Sequence, residues 1–333
     1  MKNDKIKLSD IAKELGISTI SVSRALSGQE GVSEELREKV LLTANEMGYL
    51  RAKNPDRHKI LVLHQKPFIQ DNSNFSHIMQ GMETALQVAE CDYDMEFADK
   101  KNQAELLLPS RLQKGSHYDG LIFLGGFEKA YIELLTRRIS NYVYYIGYSP
   151  AKDGDSIWYN FNRGGYMQCD YLIQKGHKRI GYLGNNNGYA CKEKVLGIIS
   201  ALEDNEIPVN KDFFVYGEEK FEEIDRVLKE KQGPTAFICQ WDYVAMKLIR
   251  HLHEKGIKVP EDISVMGYGN TEMSALGIPA LTTMELYIDY ACETTVGLLL
   301  KRLKRPDKPY ENILIHSTLV ERDSVRTYVE TPE

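Results

Sequence analysis

From Ile60 onward, short apolar runs alternate with segments of helical periodicity. The runs are rich in β-branched and aromatic residues, as strands are, and segments with helical spacing separate most of them. Repeated strand–helix alternation predicts parallel sheets covered on both faces. Two sets of strands indicate two doubly wound lobes, with a ligand crevice between them at the strand carboxyl ends. The first set is ILVLH, DYDMEFA, GLIFLGG and YVYYIGY, and the second is RIGYLG, FFVYG, TAFICQ and ISVMGYG. Helices are expected near residues 75–89, 104–114, 129–139, 191–203, 221–229 and 243–254.

Length and composition agree with this plan. At 333 residues the chain exceeds one compact domain, and 42% hydrophobic residues are ordinary for a globular protein. No apolar run is long enough to span a bilayer, and the start lacks the hydrophobic core of a signal peptide, so we expect a cytoplasmic protein without membrane contact. The five cysteines never form a CxxC pair. We therefore expect no metal and no cofactor, and no catalytic residue is legible.

The first sixty residues differ in character from the remainder. They carry a net charge of +2 and the following residues a net charge of -8, and Tyr49 is the only aromatic residue before Phe68. A small, aromatic-poor head thus precedes a large, aromatic-rich body. The charge distribution keeps nucleic-acid binding by the head open although the whole chain is acidic, with a net charge of -6.

Capping residues and apolar spacing predict three helices in the head. Ser9, Ser18 and Ser33 can each cap a helix, and Gly16 and Gly48 can end the first and the third. Helix, tight turn and second helix, closed by a third helix, form a helix-turn-helix arrangement. The residues expected to point inward are Ile11, Ala12, Leu15, Val22, Ala25, Leu26, Leu36, Val40, Ala44 and Met47.

The second helix displays small hydrogen-bonding residues where long charged ones would keep a surface helix in solution. In a major groove Thr19 can reach a base edge or a phosphate, Ile20 a thymine methyl group, and Arg24 a guanine or a phosphate. The alternative is a three-helix bundle for protein contact, in which Ser21 and Ser23 are merely tolerated on an exposed face.

The stretch KLSDIAKELGISTISVSRALSGQEGVSEELREKVLLTANEMGY resembles the DNA-binding head of the lactose-repressor (LacI/GalR) family nearly position for position, over residues 8–49. The resemblance implies binding to double-stranded operator DNA as a homodimer. The residues that it points to as DNA contacts are Ser9, Ser18, Thr19, Ile20, Ser21, Ser23, Arg24, Ser27 and Tyr49.

The body also resembles this family, whose effector domain shares its fold with periplasmic sugar-binding proteins. The likeness lies in GGYMQCDYLIQKGHKRIGYLG, KVLGIISALEDNEI and GIKVPEDISVMGYGNTEMS. It implies a helix-turn-helix DNA-binding domain at 1–50, a short linker at 51–59 and an effector-binding and dimerisation domain at 60–333. One lobe would comprise about 60–158 and 288–308, and the other about 159–287 and 309–333.

The linker departs from the family pattern, in which a hinge helix forms on DNA and places a leucine in the minor groove. Only LRAKNPDRHK separates Tyr49 from Ile60, and Leu50 lies too near the third helix to be assigned that role. Pro55 limits any helix. The four cations of this segment either track phosphates or only keep a tether soluble, and the two alternatives stay open.

Candidate effector-binding residues follow from loops and from the resemblance. The loop after the first strand of the body offers aromatic, amide and carboxylate groups, which suit a sugar ring; alternatively it is a surface loop with a helix cap at Ser73 or Asn74. Three positions depart from the family: Lys194 replaces a common arginine, Trp241 a common asparagine, and Gly269 a common aspartate. The full set is Phe68, Asp71, Asn74, Phe75, Asn160, Lys194, Trp241, Asp242, Gly269 and Asn270.

We therefore expect an α/β chain with an N-terminal three-helix head and two doubly wound lobes of the periplasmic-binding-protein type. The expected function is repression of a carbohydrate-utilisation operon, relieved when a small sugar-type effector binds between the lobes. The alternatives are a regulator with a purine-type or protein corepressor, and a cytoplasmic sugar-binding protein whose head does not bind DNA.

Overall fold

The computed structural model describes residues 6–27, 29, 31–47, 49, 57–65, 72–146 and 153–329. Its internal contacts divide the chain into two compact units. Unit 1 comprises Met1–Gln70, Ile78–Trp158 and Asp289–Ile313, and unit 2 comprises Asp71–His77, Tyr159–Ile288 and Leu314–Glu333. Each unit is therefore assembled from separate segments of the sequence.

The head of unit 1 is a bundle of three helices around a small core of its own. Ile11, Val22, Val40 and Ala44 have no exposed surface and form the centre of that core. The predicted helix-turn-helix arrangement of the head is confirmed. The helices are α1 (Leu8–Leu15), α2 (Thr19–Ser27) and α3 (Glu34–Glu46).

The rest of unit 1 is built on a six-stranded sheet. Its strand order is β11-β5-β4-β3-β1-β2, and the pairs from β2 to β5 are parallel. The strands are β1 (Lys59–His64), β2 (Asp92–Phe97), β3 (Gly120–Leu124), β4 (Tyr142–Tyr145), β5 (Asp155–Tyr159) and β11 (Asn312–Ile315). The helices are α4 (Asn72–Val88), whose first residues cluster with unit 2, α5 (Lys100–Ala104), α6 (Ser110–Gln113), α7 (Lys129–Thr136) and α13 (Ile288–Lys304).

Unit 2 is built on a four-stranded parallel sheet of order β7-β6-β8-β9, with a two-stranded antiparallel ribbon of β10 and β12. The strands are β6 (Ile180–Gly184), β7 (Phe214–Tyr216), β8 (Ala236–Cys239), β9 (Ser264–Met266), β10 (Thr283–Glu285) and β12 (Thr318–Val320). The helices are α8 (Phe161–Gln174), α9 (Tyr189–Asp204), α10 (Phe221–Leu228), α11 (Asp242–Glu254) and α12 (Glu272–Leu276). Helix-covered parallel sheets are the predicted fold class, which is confirmed.

All eight predicted strands are present, and one predicted helix is wrong. The segment 104–114 holds the short helices α5 and α6 instead of one helix. Leu106 between them has a φ of 53°, and Pro109 precedes α6. A left-handed residue and a proline both stop a helix, so the segment breaks there. Among the described residues, no helix has the length and apolar composition to cross a membrane.

Candidate functional site

The turn before α2 fixes how this helix starts. Gly16 ends α1 with a left-handed φ of 64°, and Ile17 N–H donates to the carbonyl of Ala12. Ser18 then caps α2, because its Oγ accepts a hydrogen bond of 3.0 Å from the Ser21 N–H. The predicted cap at Ser18 and the predicted stop at Gly16 are confirmed. The turn thereby sets the orientation of α2 on the head.

Helix α2 has one buried side and one solvent-exposed side. Val22 and Ala25 are fully buried, whereas Thr19, Ile20, Ser23 and Arg24 are exposed. Ile20 keeps 64% of its surface accessible, a high value for an aliphatic side chain. The helix carries no acidic residue. The exposed side thus offers hydroxyl groups, one aliphatic group and one guanidinium, which are the groups that read base edges and phosphates in a major groove.

The other head residues singled out from the sequence lie on α1, at the end of α2 and on either side of α3. Ser9 was predicted to cap α1, but it lies inside the helix, because α1 starts two residues earlier than predicted, with Lys7 at the cap position and Asp10 accepting from the Lys7 N–H. The Ser27 hydroxyl donates to the Arg24 carbonyl at 3.3 Å. Tyr49 packs against the head core. The predicted cap at Ser33 is confirmed, since its Oγ accepts from the Leu36 N–H.

Five of the ten candidate effector-binding residues follow the carboxyl ends of parallel strands. Trp241 and Asp242 follow β8, and Gly269 and Asn270 follow β9. Asn160 caps α8, where its Oδ1 accepts from the Arg163 N–H at 3.0 Å. This is the end of a parallel sheet at which ligands bind in open α/β folds.

Asp242 is enclosed by the protein. It is 1% exposed, its Oδ2 accepts from the Thr271 N–H at 2.8 Å, and its Oδ1 accepts from the Thr283 hydroxyl. Burial raises the pKa of the Asp242 carboxyl, and these hydrogen bonds offset part of the rise. Asp242 thus ties the start of α11 to the segments after β9 and at β10.

Lys194 also lies inside unit 2, at 1% exposure. Its Nζ donates to the backbone carbonyl of Gln240 and faces the rings of Tyr268, Trp241 and Phe161. Burial lowers the pKa of the Lys194 ammonium to about 7. The amino group at this position is therefore directed inward.

Gly269 and Asn270 form a tight turn after β9. Gly269 has a φ of 130°, and a Cβ atom there would lie 2.9 Å from Nδ2 of Asn74. The absence of a side chain at 269 gives the half-buried Asn74 amide its space. Asn270 donates to Glu285 and accepts from Arg322 at 2.6 Å, so its amide connects two other side chains of unit 2.

Phe68 and Asp71 lie outside the described residues, while Phe75 is half-buried on α4. Phe161, Gln240 and Tyr268 surround Lys194 but are not among the site residues predicted from the sequence. Gln240 and Tyr268 directly adjoin predicted site residues, and that adjacency was the available signal. No such signal pointed to Phe161, because it is the first residue of a helix, α8, that the sequence pattern did not predict.

Two known domain families match the chain. Residues 7–52 match the family described as bacterial regulatory proteins, lacI family. Residues 169–325 match the family described as periplasmic binding protein-like domain. The first match covers the three-helix head and the second covers most of unit 2.

The chain is also similar to transcriptional repressors over most of its length. The chain is 29% identical over 337 residues to the HTH-type transcriptional repressor PurR of Erwinia tasmaniensis, a match that covers 96% of each chain. It is 27% identical over 333 residues to the ribose operon repressor of Haemophilus influenzae, covering 96% of this chain and 98% of the relative. A solved transcriptional regulator from Enterococcus faecium with bound ribose has a TM-score of 0.67 and 25% identity, and the match covers 81% of this chain and all of that structure.

Proposed function

Since the chain belongs to the lacI family of bacterial regulatory proteins, we propose that it is a transcriptional repressor controlled by a small sugar-type effector. Helix α2 binds operator DNA, and the strand ends of unit 2 bind the effector. The proposal assigns no reaction to the chain and places its action in the cytoplasm, where the operator is.

The observation that carries the DNA-binding role is the exposed side of α2. Exposed hydroxyl groups, an isoleucine and an arginine share one side of this helix, and these are the groups that contact base edges and phosphates in a major groove. Thr19 and Ile20, at the start of the helix, stand where a recognition helix meets base edges, and Arg24 lies one turn further along.

The effector role is supported by the position of Trp241. This half-buried indole stands at the strand ends of unit 2, and the half-buried Asn74 amide lies close to Gly269 at the same ends. An aromatic face and an amide group suit a sugar. An effector shifts DNA affinity only if it binds one conformational state more tightly than another. Release from the operator therefore requires that the effector prefer the state that binds DNA less tightly.

Binding to the DNA upstream of the gene for this protein tests the proposal. We expect a specific complex at fixed salt that one neutral sugar dissociates. Arg24→Ala should weaken operator binding by about 1 to 3 kcal/mol if Arg24 reads a base. Lys39→Ala is the matched control, because Lys39 is an exposed cation on α3 that pairs with Glu35.

Three outcomes would change the proposal. Equal weakening on operator and on random DNA would move Arg24 from base recognition to phosphate contact. Absence of a specific complex would refute DNA-binding. Strengthening by a purine base would replace the inducer with a purine-type corepressor, an alternative that the similarity to PurR repressors favours.

We also propose that the repressor is a homodimer. Unit 2 exposes Met273, Leu276 and Ile278, with accessible fractions of 52%, 82% and 94%. Three large apolar side chains exposed so close together mark an interaction surface. A second copy of the chain is the partner that would give two heads for two operator half-sites.

A further inference from the structure

The side chain of Lys194 runs through a passage that two glycines leave open. On α8, a Cβ atom at Gly164 would lie 2.5 Å from the Tyr268 hydroxyl. At Gly165 it would lie 2.2 Å from the Lys194 carbonyl and 3.1 Å from Lys194 Cγ. Any larger residue at either position would displace the ring or the lysine. The glycine pair therefore fixes where the lysine enters the interior of unit 2.

The Lys194 ammonium ends in a cage of three aromatic rings. Its Nζ lies 3.6 Å from the ring centroid of Tyr268, 5.0 Å from that of Trp241 and 6.0 Å from that of Phe161. Cation–π attraction at these distances stabilises a desolvated ammonium. Phe161 and Tyr268 are almost fully buried, so Trp241 is the cage ring that keeps an accessible surface.

One hydrogen bond completes the surroundings of Lys194. Its Nζ donates to the Gln240 carbonyl at 2.5 Å, at the residue directly before Trp241. In the part of the chain that the structure describes, no carboxylate lies within ion-pair distance of this Nζ. The titratable groups that face it are the Cys191 thiol on α9, the Cys239 thiol on β8 and the Asp242 carboxyl on α11. Burial raises the pKa of both thiols, which keeps them uncharged.

We propose that Lys194 is a positioning residue for the effector: it holds Trp241 in place from within the protein and does not touch the effector itself. The group that stacks on Trp241 is then an uncharged sugar ring. This rests on the proposed effector site. The Lys194 ammonium restrains Trp241 in two ways. It donates a hydrogen bond to the carbonyl of the preceding residue, Gln240, and it attracts the Trp241 ring.

The charges around Trp241 support an uncharged ligand group. Lys194 is directed inward, and both carboxylate oxygens of Asp242 accept hydrogen bonds from the protein. The accessible part of the half-buried Trp241 indole is then the group that can contact a ligand at these strand ends. An indole face suits the C–H surface of a sugar ring, whereas an anionic group would find no cation offered to it by Lys194.

Tryptophan fluorescence tests the positioning role without any effector. The chain has two tryptophans, Trp158 and Trp241, so Trp158→Phe leaves Trp241 as the single tryptophan, which is excited selectively at wavelengths where tyrosine does not absorb. We expect its emission to change with a midpoint near pH 7, as Lys194 gains or loses its proton, and the change to vanish in Lys194→Met. The same Trp241 emission in Lys194→Met as in the chain that keeps Lys194, at every pH between 6 and 9, would overturn the role.

A double-mutant cycle tests whether Lys194 acts through Trp241. For the sugar that dissociates the operator complex, Lys194→Met should weaken binding about tenfold in the natural chain, the size of one lost charge-assisted contact. In a Trp241→Ala background the same change should have less than about a twofold effect. If the two substitutions instead weaken effector binding independently, so that their effects multiply, Lys194 contacts the effector directly and the proposal is overturned. Circular dichroism melting shows whether each variant folds.

The ligand class has its own test. Ribose and glucose are compared with ribose 5-phosphate and glucose 6-phosphate in the operator-release measurement. Release by a neutral sugar agrees with the proposal, and release by a phosphate ester whose parent sugar fails would overturn it. If no compound releases the operator, the proposed effector site and the ligand class fail together, while the fluorescence titration still decides whether Lys194 acts on Trp241.

Discussion

His177 is held in the interior of unit 2 by neighbours on both ring nitrogens. Nδ1 lies 2.9 Å from the Thr235 hydroxyl, Nε2 lies 3.2 Å from the Arg326 carbonyl, and the ring stacks on Tyr328. Burial lowers the pKa of His177 to about 4, and it does the same for His64 in unit 1. Both imidazoles are therefore neutral in the folded protein at neutral pH.

This burial predicts a loss of stability in mild acid. In the unfolded chain each histidine takes up a proton near pH 6.5, while the folded protein takes it up only near pH 4. The stabilisation is complete above pH 6.5 and falls as the pH drops toward 4, by about 2 kcal/mol per histidine at pH 5. The urea midpoint should therefore be lower at pH 5 than at pH 7.5.

His177→Gln should remove part of this pH dependence from unit 2. His316→Gln is the control, because His316 is exposed in the same unit. If the glutamine variant at 177 kept the full difference between the two pH values, the acid sensitivity would belong to other groups.

Single residues differ in how far the sequence reveals their role. Exposure of Thr19, Ile20 and Arg24 could be predicted because helical periodicity assigns each residue of a short helix to one side. The inward course of Lys194 could not, since it depends on Gly165, Gln240 and rings that come from distant parts of the sequence. The effector roles of the site residues remain predictions.

At the level of whole elements, α8 and α9 approach each other unusually closely. A Cβ atom at Gly197 would lie 1.9 Å from the Asn162 carbonyl oxygen. Because backbone cannot move aside as a flexible side chain does, Gly197→Ala should destabilise unit 2 by about 2 to 3 kcal/mol. Urea unfolding followed by circular dichroism measures the change.

Gly297→Ala on α13 is the matched control for this packing effect. A Cβ atom there meets no other atom within 4 Å. Alanine has the higher helix propensity, so this variant should be more stable by up to about 1 kcal/mol. Equal destabilisation by both alanines would disprove the close-approach explanation.

Glycines also explain why two helices were not predicted from the sequence. Helix α8 contains Gly164 and Gly165, and α13 contains the run Thr294 to Gly297, all residues of low helix propensity. Tertiary packing overrides these local preferences. The eight predicted strands, by contrast, are short apolar runs whose burial and β-propensity agree.

At the level of the whole molecule, the proposed dimer surface gives a separate prediction. Ile278→Asp places a charge on a side chain that is 94% exposed in the monomer, so it should leave the fold intact. Between two copies that charge would be buried without a partner. We expect the dimer dissociation constant to rise at least about tenfold in sedimentation measurements.

Leu196→Asp provides the control for this surface, because Leu196 is 51% exposed on α9, away from α12 in the sequence. The aspartate variant at 278 should lose affinity for an operator with two half-sites and keep its affinity for a single half-site. A variant that stays dimeric at the concentrations of the natural protein would place the interface elsewhere.

The division of the sequence between the two units also bears on synthesis. The head core consists entirely of residues from the first fifty positions, whereas the six-stranded sheet needs β11 at Asn312–Ile315. On the ribosome, the head can therefore fold early, while the large sheet of unit 1 stays unfinished until Ile315 has emerged. A chain terminated before β11 would keep the DNA-binding helices and lack the finished sheet of the regulated body, so DNA binding can be controlled only after this strand has been translated.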